Sequence, residues 1–310
     1  MSNRTGRLAL LAGLLAMNAC TRSAPTSFRS GYFTTSDGVR LHYLEAGAGR
    51  AIVFVPGWTM PGEIWEHQIR HFAAKYRVVA MDPRSQGDSD RPTEGHYPER
   101  RAQDVKELVE RLGLAPAVLV GWSLAVPELL TYVDRFGTGT IRALVLVDGM
   151  IGEDPDPARS AQLWAWLKSL QTDRKRATES FVRGMYRKPH PESYYERIVA
   201  ASLKTPTNTA VTLLANVFSG GDWRPVLGKL DRPLLYVVTP ELRSQAEMVQ
   251  RRLPSARVEI FEQAGHALFV DEPERFNRVL GEFLRQLRSG ITAPTNPLVF
   301  ASGPPDRGLE

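Results

Sequence analysis

The chain leaves one of its apolar runs through "VGWSLAVPELL", residues 120–130. Ser123 stands between Gly121 and Ala125, so the positions two before and two after its hydroxyl carry almost no side chain. A buried strand that ends in Gly-x-Ser-x-small and turns at once into a helix has the pattern of a nucleophile elbow, the alternative being a plain strand–helix turn with a capping serine. The demand is steric: the turn brings the two flanking positions together, and only tiny residues fit. The same turn lifts the hydroxyl out of the sheet. It also sets it at a helix N-terminus, where free N–H groups and the dipole favour negative charge. A serine hydroxyl is a weak nucleophile until a base takes its proton. Of the six histidines, His266 in "EQAGHALF" follows the last apolar strand and precedes the last helix. That places it at the same sheet end as Ser123, on a loop where Ala264 and Gly265 permit close approach. His42, His67, His71, His96 and His190 read as core or surface residues. Ser123 and His266 are the expected nucleophile and base.

The elements that must position them alternate. "VRLHYLE" (39–45) has the period of an edge strand, and "AIVFV" (51–55), "YRVVAM" (76–81), "AVLV" (117–120) and "IRALVLV" (141–147) read as buried strands. "PLLYVVT" (233–239) and "ARVEIFE" (256–262) continue the series. Helical patterns lie between them, with Ile64, Trp65, Ile69 and Phe72 on one side of the first and Gly113 closing the second. Strands alternating with helices predict an α/β protein with a mostly parallel, doubly wound sheet. The alternation pauses over residues 150–227, where only helical patterns are found. The expected organisation is a core of residues 31–149 and 228–289 with an all-helical cap, 150–227, inserted between two sheet strands. The cap carries Trp164, Trp166, Leu167, Phe181, Tyr186, Leu213, Leu214, Val217 and Phe218. Most should pack between cap and sheet, and some should face Ser123, giving a mainly apolar pocket.

Several motifs, in this order, resemble the α/β-hydrolase superfamily from about Gly31 to Leu287. "VFVPGW" resembles the strand that carries the oxyanion loop, with Pro56 in place of the usual His. "MDPRSQGDSDRP" resembles an Asp-x-Arg-Gly-x-Gly-x-Ser stretch, with Ser85 for a glycine. "GWSLA" is the elbow, with Ala125 where Gly is usual and Pro127 in the first helical turn, and "AGHALFVDEPERF" resembles the catalytic-histidine loop. The resemblance implies the α/β-hydrolase fold and a carboxylate that orients the histidine. Its usual place, after the strand that precedes the histidine strand, reads "YVVTPELRSQAEM" and offers only Glu241 nearby. The other placement, at the end of the strand before the cap, offers Asp148 in "LVLVDGM". Asp148 is the expected acid and Glu241 the alternative. The backbone N–H groups of Trp58 and Leu124 are the expected oxyanion donors. Asp82 and Asp104 read as structural. The activity implied is cleavage of a carboxylic ester, thioester or lactone of a mainly apolar small molecule, through an acyl-enzyme. Two alternatives stand beside it: a lyase or perhydrolase using the same triad, and a catalytically inactive, membrane-anchored binding protein for a hydrophobic ligand. Dehalogenase and epoxide hydrolase chemistry is disfavoured, because such relatives use an aspartate where Ser123 stands.

Composition narrows the partners. The 310-residue chain has a formal charge of +5, with its basic residues scattered among acids. No basic stripe points to nucleic acid, no Cys/His cluster points to a metal, and no organic cofactor is expected. No residue pattern assigns an oligomeric state. Arg4 and Arg7 precede the apolar run "LALLAGLLAM", which is shorter than the roughly 20 residues that span a bilayer and fits a signal-peptide core. "MNAC" resembles a bacterial lipobox ending in Cys20, although Met17 and Asn18 depart from it. Residues 1–19 are thus an expected signal peptide, Cys20 an expected lipidation site and 20–30 a tether. Ordinary cleavage near Ala19 or Ala24 is the alternative. Either route exports the protein, to a bacterial periplasm in which the lipid anchor would be its only membrane contact. Cys20 is the only cysteine, so no intramolecular disulfide can form. Residues 290–310, rich in Pro and Gly, read as a disordered tail.

Overall fold

The structure, a computed structural model, describes residues 28–152, 154, 156–218 and 221–289. The expected leader, Cys20 and the C-terminal tail lie outside the described residues. The chain runs β1 (Arg29–Thr34), β2 (Arg40–Ala46), β3 (Ala51–Val55), α1 (Glu66–Phe72), β4 (Arg77–Met81), α2 (Pro98–Arg111), β5 (Ala117–Trp122), α3 (Ala125–Phe136) and β6 (Ile141–Val147). Four helices follow: α4 (Pro157–Thr172), α5 (Arg174–Gly184), α6 (Glu192–Leu203) and α7 (Thr207–Phe218). Then come β7 (Leu234–Val238), α8 (Arg243–Arg252), β8 (Arg257–Ile260), α9 (Leu268–Asp271) and α10 (Pro273–Ser289).

The strands form one eight-stranded sheet in the order β1-β2-β4-β3-β5-β6-β7-β8. The pairs β1·β2 and β2·β4 are antiparallel, and the rest are parallel. Every residue of β3, β5 and β7 is buried, as strands covered on both faces must be. Alternate residues face opposite sides. Val53 and Val55 join the core shared with α2, α3 and α8, whereas Ile52 and Phe54 join the core shared with α1 and α10. In the second core the Trp65 indole stacks on Phe269 with centroids 3.7 Å apart.

Three features differ from the sequence reading. The alternating run at 39–45 is not the sheet edge, because β1 lies outside it and pairs Tyr32 with His42. Arg29 and Ser30, which the sequence reading put in the 20–30 segment, belong to β1. β1 buries only Phe33, so its apolar period is nearly silent. Its Gly31 lets the Tyr43 ring lie against the strand, where a Cβ would stand 2.5 Å from the ring. Asp148 lies one residue beyond β6 rather than ending it. Trp164 of the cap is 67% exposed and so is not part of the cap's core.

The loop after β4 carries buried polar residues, Asp82, Arg84, Ser85, Gln86, Ser89 and His96. Ser85 takes φ +65°, a left-handed conformation that favours glycine. Its hydroxyl bonds His96 Nε2 at 2.9 Å, and the His96 carbonyl accepts from Asn216 of α7 at 2.9 Å. Asp82 accepts from the backbone of Gly62 and Asp88 at 2.6 and 2.8 Å, and Asp104 holds the Arg84 guanidinium at 2.6 Å. Burial, with the nearby cations Arg101 and Arg84, pushes His96 down from 6.5 to about 4. Between those values the unfolded chain binds a proton that the folded chain refuses. Stability from this group is full above the unfolded value and is lost as pH falls through the window, by up to about 3 kcal/mol. Thermal melts across this window should show the decline, and His96→Gln, which keeps a donor toward Ser85, should flatten it. An identical slope in the variant would contradict the assignment.

Candidate active site

Ser123 occupies the turn between β5 and α3 with φ +57°. Its N–H continues the ladder to Val147 O at 2.9 Å, and its carbonyl receives Val126 N at 2.9 Å. A non-glycine residue in this region costs on the order of 1–3 kcal/mol and persists only where its surroundings enforce it. Here the surroundings are glycines. A Cβ on Gly121 would stand 2.6 Å from Leu129 Cδ1, one on Gly57 would stand 2.9 Å from Ser123 Cβ, and one on Gly149 would stand 2.5 Å from Ser123 O. The crowding inferred from the Gly-x-Ser-x-Ala spacing is present on three sides.

The structure brings His266 and Asp148 to this serine. His266 Nε2 lies 2.9 Å from Ser123 Oγ, and His266 Nδ1 lies 2.7 Å from Asp148 Oδ2. A carboxylate at Nδ1 keeps the proton there, so Nε2 is free to accept from the serine. Asp148 is buried at φ +42°. Its other oxygen accepts from Thr239 N at 2.7 Å and Thr239 Oγ1 at 2.9 Å. Glu241 stands apart: it is exposed on the short turn Pro240–Leu242, and both imidazole nitrogens have other partners. At the sheet position where an acid was sought after β7, the chain instead supplies Thr239, a donor that steadies Asp148. The sequence reading passed over Thr239, and its only signal was a hydroxyl at the end of a buried strand.

The histidine loop is fixed from two sides. Trp122 donates its indole N–H to His266 O at 2.9 Å. The buried Asp271 carboxylate accepts from Gly265 N at 2.7 Å and from Arg187 N, in the α5–α6 connection, at 2.8 Å. Gly265 is required for this approach, because a Cβ would stand 2.7 Å from Met185 O.

Of the expected oxyanion donors, Trp58 lies in the turn after β3 and Leu124 directly follows Ser123 at the start of α3. The Gly57–Met60 turn closes with Met60 N on Gly57 O at 3.2 Å. The Trp58 indole bonds Ala210 O at 2.8 Å and contacts the rings of Trp166 and Phe181. Trp58 and Leu124 share one apolar cluster with Leu167, Leu170, Leu213 and Leu214. Helices α4 and α7 therefore cover the serine side of the sheet with an apolar ceiling.

A second Ser–His–Asp chain has nearly the same spacing. Ser30 Oγ lies 2.8 Å from His42 Nε2, and His42 Nδ1 lies 2.8 Å from Asp82 Oδ2. It lacks everything else. Ser30 sits in the regular β1·β2 ladder opposite Leu44, is exposed, and opens no helix. Donor atoms of His42, Asp82 and Asp88 also lie close together, but Asp82 is occupied by backbone N–H groups and Asp88 by Lys204 at 2.8 Å. This group orders a loop. The contrast shows that hydrogen-bond spacing alone does not make a nucleophile.

The chain is 28% identical over 277 residues to the non-heme chloroperoxidase CPO-A1 of Kitasatospora aureofaciens, covering 82% of this chain and 98% of that protein. It is 37% identical over 123 residues to the bifunctional esterase/perhydrolase DCH of Acinetobacter calcoaceticus, covering 39% of this chain and 45% of that one. The fold matches an esterase from Exiguobacterium antarcticum with a TM-score of 0.77 at 23% identity, over 82% of this chain and 98% of that chain. Residues 52–279 match the profile described as "Alpha/beta hydrolase family", and the chain belongs to that family.

Proposed function

We propose that the chain is a serine hydrolase that cleaves carboxylic esters, thioesters or lactones of small, mainly apolar molecules. The observation that carries this reading is the continuous Ser123–His266–Asp148 relay, at 2.9 and 2.7 Å, on a left-handed elbow. Ser123 Oγ attacks the acyl carbon while His266 Nε2 takes its proton. Negative charge gathers on the former carbonyl oxygen, between the N–H groups of Leu124 and Trp58. The tetrahedral species collapses, the acyl–oxygen bond to the leaving alcohol breaks, and His266 returns the proton to that alcohol. Water repeats the sequence on the acyl-enzyme and frees the acid. Asp148 holds the imidazole and balances its cation, and Thr239 holds Asp148. The cluster around Trp58 and Leu124 favours an apolar acyl or aryl part.

A second reading follows from the relatives named as chloroperoxidase and esterase/perhydrolase. Hydrogen peroxide in place of water at the acyl-enzyme would release a peracid and restore the Ser123 hydroxyl. We further propose export with lipidation of Cys20. This rests on the leader pattern alone, and mass spectrometry of the mature N-terminus tests it: a diacylated Cys20 is expected, and an unmodified N-terminus beyond it would refute the anchor.

With p-nitrophenyl esters of increasing chain length, Ser123→Ala should abolish turnover. Asp148→Asn should lower kcat by about 10⁴-fold with folding intact. Glu241→Gln should leave it unchanged. Thr239→Val should cost about tenfold, through one lost hydrogen bond to a charged group. Normal turnover by Asp148→Asn would remove that residue from the mechanism. In acetate and hydrogen peroxide, a peracid assay that stays blank while ester cleavage proceeds would exclude the second reading.

A further inference from the structure

Behind the oxyanion turn lies a buried chain of polar side chains that the hydrolytic sequence above does not use. Gln86 has no exposed surface. Its Nε2 donates to Gly57 O at 2.9 Å and to Met60 O at 2.8 Å, the two carbonyls that bracket Trp58 and Thr59. Its Oε1 accepts from Arg101 Nη2 at 3.2 Å. Arg101 in turn donates through Nε to Glu128 of α3, and both are buried. The amide orientation is fixed by its partners, since two carbonyls need donors and a guanidinium needs an acceptor.

We propose that Gln86 is a positioning residue for the oxyanion hole, holding the Trp58 N–H in line with the one on Leu124. The inference rests on the hydrolase reading and adds a part to it. The turn needs such a support. Thr59 takes φ +59°, and Pro56 brings no hydrogen-bonding side chain. Among the described residues, the main-chain bond that closes the turn runs from Met60 N to Gly57 O at 3.2 Å. Without Gln86, two buried carbonyls would lose donors, and the strained turn could relax by rotating its peptides. The other end of the chain matters as much. Glu128 lies on α3, whose first turn follows Leu124 directly. One buried network thus ties together the two elements that carry the expected oxyanion donors. A buried ion pair such as Arg101–Glu128 is a poor source of stability compared with apolar packing. Its use here is to fix one arrangement of Gln86.

The test compares wild type, Gln86→Leu and Gln86→Glu with p-nitrophenyl acetate at neutral pH, with Ser123→Ala as the blank. Loss of a whole oxyanion donor costs about 10²–10³-fold. A misaligned donor should cost less, so kcat should fall about 10- to 100-fold with KM changed by less than about threefold. Affinity for phenylboronic acid, whose adduct on Ser123 is tetrahedral and anionic, should fall by the same factor, because it needs the same two N–H groups. Gln86→Glu keeps the shape and the Arg101 contact but carries no amide donors, so it serves if the leucine variant fails to fold. Wild-type kcat and boronate affinity in a folded variant would overturn the proposal, and so would unfolding of both variants, which would mark Gln86 as structural only. An inactive wild type would instead overturn the hydrolase reading, and this inference with it.

Discussion

Two neighbouring parallel strands are each followed by a left-handed residue, and the site depends on both. Ser123 at φ +57° follows β5, and Asp148 at φ +42° follows β6. The strands are in register through Trp122 and Val147, so Ser123 and Asp148 leave the sheet side by side. Each would relax to an ordinary conformation if its neighbours allowed. They do not, because Gly57, Gly121 and Gly149 let backbone and side chains close in to distances at which a Cβ would collide. The strain is thus held by packing, at a cost the large apolar cores on both sheet faces can absorb.

The histidine arrives from the far end of the chain and depends on a different device. Its loop is tied to the core through Trp122 and to the cap connection through the buried Asp271. The cap therefore does more than cover the pocket. It shares a carboxylate with the residue preceding His266, and it shares an apolar cluster with Trp58 and Leu124. Movement of the α5–α6 connection would be felt at the imidazole.

How much of this is legible in the sequence follows from the physics of each signal. Strands buried on both faces read as unbroken apolar runs, so β3 to β7 stand out, and the long gap between β6 and β7 exposes the cap. Ser123 is legible because a steric rule demands small residues around it, and His266 because topology leaves few places for a base. Asp148 is legible only beside the family pattern, and the choice against Glu241 is made by geometry: Pro240 turns that chain segment outward, and Thr239 takes the inner place. β1 is nearly illegible, since it buries one side chain. Thr239 and Gln86 are illegible for a more general reason. Their roles are hydrogen bonds to partners far along the chain, and such bonds leave no period and no spacing. The Ser30–His42–Asp82 chain carries the converse lesson, because its residue types and distances match the site while its backbone does not.

The central claim is that Ser123 carries the acyl group during turnover. Its most direct measurement is rapid acid quenching during cleavage of p-nitrophenyl acetate, followed by peptide mass spectrometry. One acetyl group per chain is expected, on the peptide containing Ser123, with increased occupancy in a variant that slows deacylation. An acetyl group on another residue such as Ser30, or turnover with no covalent intermediate on Ser123 under any quench condition, would contradict it.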